Sequence, residues 1–481
     1  MDKLNRLSAY LIPPIVIILF IITRLNYLNL PFYWDEAWSY ATAVFDLAEN
    51  KLPVLPGTID PELTRGHPPV FYFLSALWVK IFGTHLVPVR IFPLVVSVIF
   101  IIAVFFITRS LFDHFTALTA LLLLPLQTLF LSQSTQLLPE IMLALWTLLT
   151  FYAYFKRKWI LFSVFSILLV MTKETGMVLI GVLFLDKLLI ERFFTRGQKK
   201  PVKWQIRELA FMSIPVLAFA VFMVLQKIRN GWFLYPGHLD LTILDPHEIL
   251  NRTHLFLSRL LFRHGRNIFF IFSAIAFIYL LIKKSVSRYA AHLLVFSALF
   301  ILLYTAFSSV NFFTTRYLLS VLPFFIIPCS WLITEGLKTN LQKVTALAFF
   351  MLIFGYYAFI SDKCSEQDTS PGYKNTVLLQ KQAVNFAEDM QWQQKSIYAT
   401  FLMQYYLTDP ELGYLDDKAH PFTDISNGAG KEYDLYIFCS NENDPLHATI
   451  QNDRNYKLVR RFEQDCSWVE WYIPVFARAN L

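Results

Sequence analysis

Charge is what this chain is short of. Only 16% of its 481 residues are Asp, Glu, Lys or Arg, where a soluble protein carries about a quarter. Hydrophobic residues make up 56% and aromatics 17%, and the mean hydropathy is +0.47. Apolar runs of about 16–22 residues recur between charge clusters, which excludes a soluble globular protein and reads as a polytopic membrane protein. The net charge of +7 is not a nucleic-acid signal, because the excess Lys and Arg sit in short loops, where they orient spans in the bilayer. Cysteine is scarce too: four residues exclude a disulfide framework. Cys329 lies in an apolar segment as filler, while Cys439 and Cys466 could pair if the polar C-terminal part faces an oxidising compartment. No small-residue cleavage site follows the first apolar run, which Pro13 and Pro14 interrupt, so it reads as an uncleaved helix with a cytoplasmic N-terminus. No internal repeat or low-complexity stretch is present.

Basic loops then set the topology. Arg109, Lys156-Arg157-Lys158, the loop 191–207, and Lys283, Lys284 and Arg288 are placed inside. Spans are expected near 9–22, 89–108, 115–131, 140–155, 159–171, 176–190, 209–227, 267–282, 289–307, 317–334 and 342–360, about eleven crossings in all. A polar loop, 228–266, stays outside. Counting 68–82 as a span would put Lys156-Arg157-Lys158 outside, so that segment reads as an amphipathic helix lying in the outer interface. Residues 1–361 form the membrane module, with a first outer loop at 25–88. Residues 362–481 form a small extracytoplasmic α/β domain, with a helix at 375–390 and strands near 396–400, 434–439, 456–462 and 469–475. The protein is expected to be multi-pass in a bacterial inner membrane.

Against this apolar background, ionisable residues stand out at the outer ends of several segments. Asp35 and Glu36 adjoin in Tyr33-Trp34-Asp35-Glu36, a costly placement at the mouth of a lipid-embedded helix unless the pair does chemistry. The pair could instead cap the helix beginning at Ala37, but capping needs one carboxylate and leaves Arg65-Gly66-His67-Pro68-Pro69 unexplained. Glu140 opens a helix, where a carboxylate also suits the dipole. Lys173, in Thr172-Lys173-Glu174-Thr175-Gly176, lies between two short helices and could simply pair with Glu174. Arg316-Tyr317 precedes the tenth span, and both cations could be snorkelling anchors. His67 could merely end a turn. Arg65 and Arg90 read as interfacial anchors outside the site. A carboxylate base beside Lys and Arg suits transfer from a phosphate-linked donor: the base takes the acceptor proton while the cations stabilise the departing phosphate.

The order of these elements resembles the lipid-linked-sugar-dependent membrane glycosyltransferases of the GT-C fold, nearest to the protein O-mannosyltransferases and the lipid A aminoarabinose transferases. The likeness rests on Asp35-Glu36, His67-Pro68-Pro69, Glu140, Thr172-Lys173-Glu174-Thr175-Gly176, and Arg316-Tyr317 with Pro323, across about residues 1–340. It departs in Ser132-Gln133-Ser134-Thr135-Gln136, where the mannosyltransferases usually carry an Arg, and in Glu rather than Asp at 140. The resemblance implies a sugar transferred from a polyprenyl-phosphate donor to a lipid, glycan or protein acceptor on the outer face. It implies Asp35 as general base, and His67, Lys173 and Arg316, with Tyr317, around the donor phosphate. Glu36 and Glu140 would position the acceptor. No cofactor is certain, and a divalent cation on these carboxylates is the one candidate. Competing readings are a transporter or lipid flippase, or a non-catalytic membrane-anchored assembly protein.

Overall fold

The computed structural model describes residues 2–50, 55–194, 202–361, 368–428, 431–465 and 470–479. The segments expected to span are largely helical, because an apolar run in lipid must satisfy its backbone hydrogen bonds internally. The one expected at 115–131 is broken at residues 124–127 into the helices His114–Leu123 and Thr128–Gln133. Among the described residues, Leu86–Leu111, Trp204–Asn230, Arg288–Val310 and Asn340–Ser361 are each long and apolar enough to cross a membrane. The other helices are shorter or bent. The segment expected as a polar loop differs most: it contains the helix Pro246–Leu261, which turns by 83° into Arg266–Ile282. That helix is amphipathic and packs on Arg288–Val310, which explains why its mixed composition reads as a loop. The segment expected in the interface forms the helix Val70–Phe82, ended by Gly83.

Short helices frame the site. Trp159–Thr172 has 14 residues, about 21 Å at 1.5 Å per residue, well under a hydrocarbon core of about 30 Å. The chain then breaks at Lys173, which is extended (φ −158°), and restarts at Gly176. A Cβ on Gly176 would lie 2.8 Å from Leu169 Cγ and 3.0 Å from its carbonyl oxygen. Only glycine lets the second helix start so close to the first, and that turn leaves Lys173 buried in the bundle.

The C-terminal part carries the helix Tyr373–Asp389 and five strands: β1 Ser396–Ala399, β2 Asp424–Ser426, β3 Leu435–Ile437, β4 Tyr456–Asp465 and β5 Glu470–Arg478. Their order is β2-β1-β3-β5-β4, parallel across β2, β1 and β3 and antiparallel through β5 and β4. The short β2 and the helix Phe401–Thr408 were not expected from the sequence. This part is docked, not tethered: Phe32 N–H donates to the Leu412 carbonyl at 3.0 Å, and Tyr33 stacks on Tyr373 at 5.9 Å. Cys329 and Cys439 are buried free thiols, and Cys466 lies outside the described residues.

Candidate functional site

Trp34 takes a left-handed conformation (φ +54°) that reverses the chain into the wide π-helical turn Glu36–Ala41. The reversal sends Asp35 and Glu36 to different places. Asp35 makes no capping hydrogen bond, so the helix-cap reading fails. Its Oδ1 accepts from Trp38 Nε1 at 3.0 Å, and Oδ2 is held by Arg316 Nη2. Arg65 Nη2 stands 3.7 Å from Oδ1. Burial alone would raise the Asp35 pKa, but Arg316, Arg65 and the Trp38 N–H outweigh it and hold the group below its ordinary value.

Arg316 is the hub. It lies in the tight turn Thr315–Ser320 and is 4% exposed. Besides Asp35 it binds Asp368 Oδ2 through Nη1 at 2.8 Å, and its Nε lies 3.3 Å from Glu140 Oε1. Glu140 Oε1 also accepts from Lys173 Nζ at 2.9 Å, and that ammonium sits 4.2 Å from the Tyr317 ring centroid. Asp35, Arg316, Glu140, Lys173 and Tyr317 thus form one buried network drawn from four distant stretches of chain. Glu140 Oε2 makes no hydrogen bond among the described residues, an unsatisfied buried acceptor inside this network.

Three expected partners are arranged otherwise. Glu36 is fully buried and closed off: Arg90 grips both oxygens at 3.2 and 3.1 Å, and the Leu137 and Tyr33 N–H groups donate at 2.6 and 3.2 Å. It ties the first loop to the loop before Glu140 and is not in the acid–base network. Arg90 is therefore no interfacial anchor; it also donates to the Leu30, Pro31 and Thr135 carbonyls. Lys173 does not pair with Glu174, which instead binds His67 Nδ1 at 2.9 Å. His67 stacks on Tyr40 and so adjoins the network without joining it.

Arg65, set aside as an anchor, faces the site: its guanidinium lies 4.0 Å over the Trp38 ring. Asp368 was missed. It stands beyond the last apolar run in a polar stretch, and no local pattern links it to Arg316. Its carbonyl accepts from Ser132, Gln133 and Gln136, the segment that lacks the expected arginine.

For a divalent cation, Glu36 has no free oxygen and Glu140 already faces two cations. Among the described residues the donor set that fits is His67, Glu174 and His238, whose ligand atoms lie within 4.8 Å of one another. Burial, with His67 nearby, lowers the His238 pKa to about 4, leaving the neutral imidazole a metal requires. An apolar groove between the helices Val70–Phe82, Leu86–Leu111 and Glu140–Phe155 is lined by Leu74, Trp78, Phe92, Val96, Met142 and Trp146, and begins within a turn of Glu140.

A family model for dolichyl-phosphate-mannose-protein mannosyltransferase matches residues 66–219. No curated protein matches by sequence. Among solved structures the chain is similar to ArnT from Cupriavidus metallidurans. Against the form bound to undecaprenyl phosphate the TM-score is 0.56 at 12% identity, covering 97% of this chain and 98% of that one. Against the apo form it is 0.54 at 12% identity, covering 96% and 97%. Likeness at that identity establishes a shared fold along nearly the whole length of both chains.

Proposed function

We propose that this GT-C-fold membrane protein is a glycosyltransferase that moves a sugar from a polyprenyl-phosphate donor to an acceptor hydroxyl, inverting the anomeric carbon. The observation that carries the reading is the buried network Asp35–Arg316–Glu140–Lys173, in which two carboxylates and two cations adjoin. Asp35 takes the acceptor proton as the acceptor oxygen attacks the anomeric carbon. The bond from that carbon to the phosphate oxygen breaks, and polyprenyl phosphate leaves with its electron pair. Lys173 and Arg316 offset the charge that develops on the leaving oxygen. Glu140 orients both cations, and its free Oε2 suits an acceptor hydroxyl. The isoprenoid chain fits the apolar groove beside Glu140, and the similarity to an ArnT structure holding undecaprenyl phosphate supports a lipid of that kind.

In this reading about eleven crossings put the site on the extracytoplasmic face, with the N-terminus cytoplasmic and residues 362–481 outside as a separate domain. His67, Glu174 and His238 would hold a divalent cation, and Glu36 acts by positioning. The test is turnover of purified protein with radiolabelled polyprenyl-phosphate sugars and membrane extract. Asp35→Asn should lower turnover by about 10²–10⁴-fold with an unchanged melting temperature. A transporter or assembly protein would show no sugar transfer in the wild type.

A further inference from the structure

Resting on that reading, we propose that Arg65 is a ligand of the donor phosphate, and that it leaves Asp35 to bind it, so that donor binding readies the base. The cations of the site are not equally available. Arg316 spends Nη1 on Asp368 and Nη2 on Asp35, and its remaining Nε is buried 3.3 Å from Glu140 Oε1 without a hydrogen bond among the described residues. Lys173 is on Glu140 and is buried. Arg65 alone among these three has an open guanidinium: its side chain is 28% exposed, and its nearest acid oxygen is 3.7 Å away, beyond hydrogen-bond range. Its five N–H donors suit a phosphate in a way a lysine does not.

The backbone aims this side chain. Arg65 follows the short helix Pro61–Thr64 in a left-handed conformation (φ +49°), which costs about 1 kcal/mol or more for a residue with a Cβ. The following Gly66 is also left-handed (φ +69°) and fixed by Gln226, whose Nε2 donates to its carbonyl at 3.0 Å. Stacking on Trp38 places the guanidinium beside the ring whose N–H holds Asp35. A cation with open donors is thus held between solvent and the base. A phosphate arriving there competes with Asp35 for Arg65. Removing one cation from Asp35 raises its affinity for a proton, which a base needs and which its present surroundings oppose.

Binding of undecaprenyl phosphate to the full-length protein in nanodiscs tests this, using wild type, Arg65→Ala, Arg65→Lys, Lys173→Ala and Asp35→Asn. Arg65→Ala should weaken binding about 10–100-fold, as expected for lost charge-assisted hydrogen bonds, with its melting temperature kept. Arg65→Lys should recover only part. Asp35→Asn should tighten binding severalfold, and that gain should vanish in the Arg65→Ala background. In turnover assays the acid limb of kcat/KM should move to higher pH in Arg65→Ala, a change that a merely structural residue would not produce. Wild-type affinity in Arg65→Ala beside weakened Lys173→Ala would overturn the role of Arg65 and leave the function standing. A wild type that does not bind the lipid at all would overturn both.

Discussion

Glu36 and Asp35 are neighbours with opposite duties, and the difference lies in which arginine each meets. Glu36 faces Arg90 with both side chains wholly out of water, so each is the other's counter-charge, supported by hydrogen bonds to backbone groups. Replacing Glu36 by Gln should cost about 3–5 kcal/mol by leaving a buried guanidinium unpaired. This will be read as a lower melting temperature and poor recovery in detergent, and Glu36→Gln together with Arg90→Met should restore part of the loss. Asp35 shares Arg316 with Asp368 and Glu140, so Asp35→Asn leaves that guanidinium paired and should show the reverse pattern, with turnover lost and stability kept. A Glu36 variant that melts normally but does not turn over would return that carboxylate to the catalytic set.

At the scale of elements, the turn before the Val70–Phe82 helix depends on Gly66. Its φ of +69° disfavours any residue with a Cβ, and a Cβ there would come within 2.5 Å of Gln226 Nε2 and 2.7 Å of the Trp232 ring. Gly66→Ala should therefore destabilise by about 1 kcal/mol or more and weaken undecaprenyl phosphate binding as Arg65 and His67 shift with the turn. In the C-terminal part, Glu442 accepts from the Leu402 N–H at 3.3 and 3.4 Å, at the start of the helix Phe401–Thr408. Burial raises its pKa from 4.5 to about 7 despite those donors. The folded form therefore binds the proton more tightly than the unfolded chain. Stability should fall as pH rises from about 4.5 to about 7 and level off above that, by about 3 kcal/mol at most. Thermal melts of wild type against Glu442→Gln would check it: the variant should lose this slope.

At the scale of the molecule, the C-terminal part completes the site. Asp368 closes Arg316 and its carbonyl gathers Ser132, Gln133 and Gln136, while Phe401 meets Trp38 edge-on at 5.6 Å. A chain ending at residue 361 should lose undecaprenyl phosphate binding and turnover together. Asp368→Ala keeps the backbone carbonyl, so it should cost about tenfold or more in turnover through a less fixed Arg316. Full activity in the truncated chain would reduce the C-terminal part to an appendage.

The sequence by itself determined that this is a membrane protein, where most of its apolar helices run, and which polar residues stand out of place, because each of those signals is local. Apolar run length, basic loops and a charge beside an apolar segment need no knowledge of the rest of the chain. The polar character of the loop with Pro246–Leu261 hid a helix, since an amphipathic helix packed on a neighbour does not look like a span. Only the tertiary structure decided the partners: Glu36 with Arg90, Glu174 with His67, Asp368 and Asp35 with Arg316. Those pairs join residues up to 281 positions apart, and in a buried, low-dielectric interior each charge is stabilised by whichever opposite charge the packing of helices brings against it.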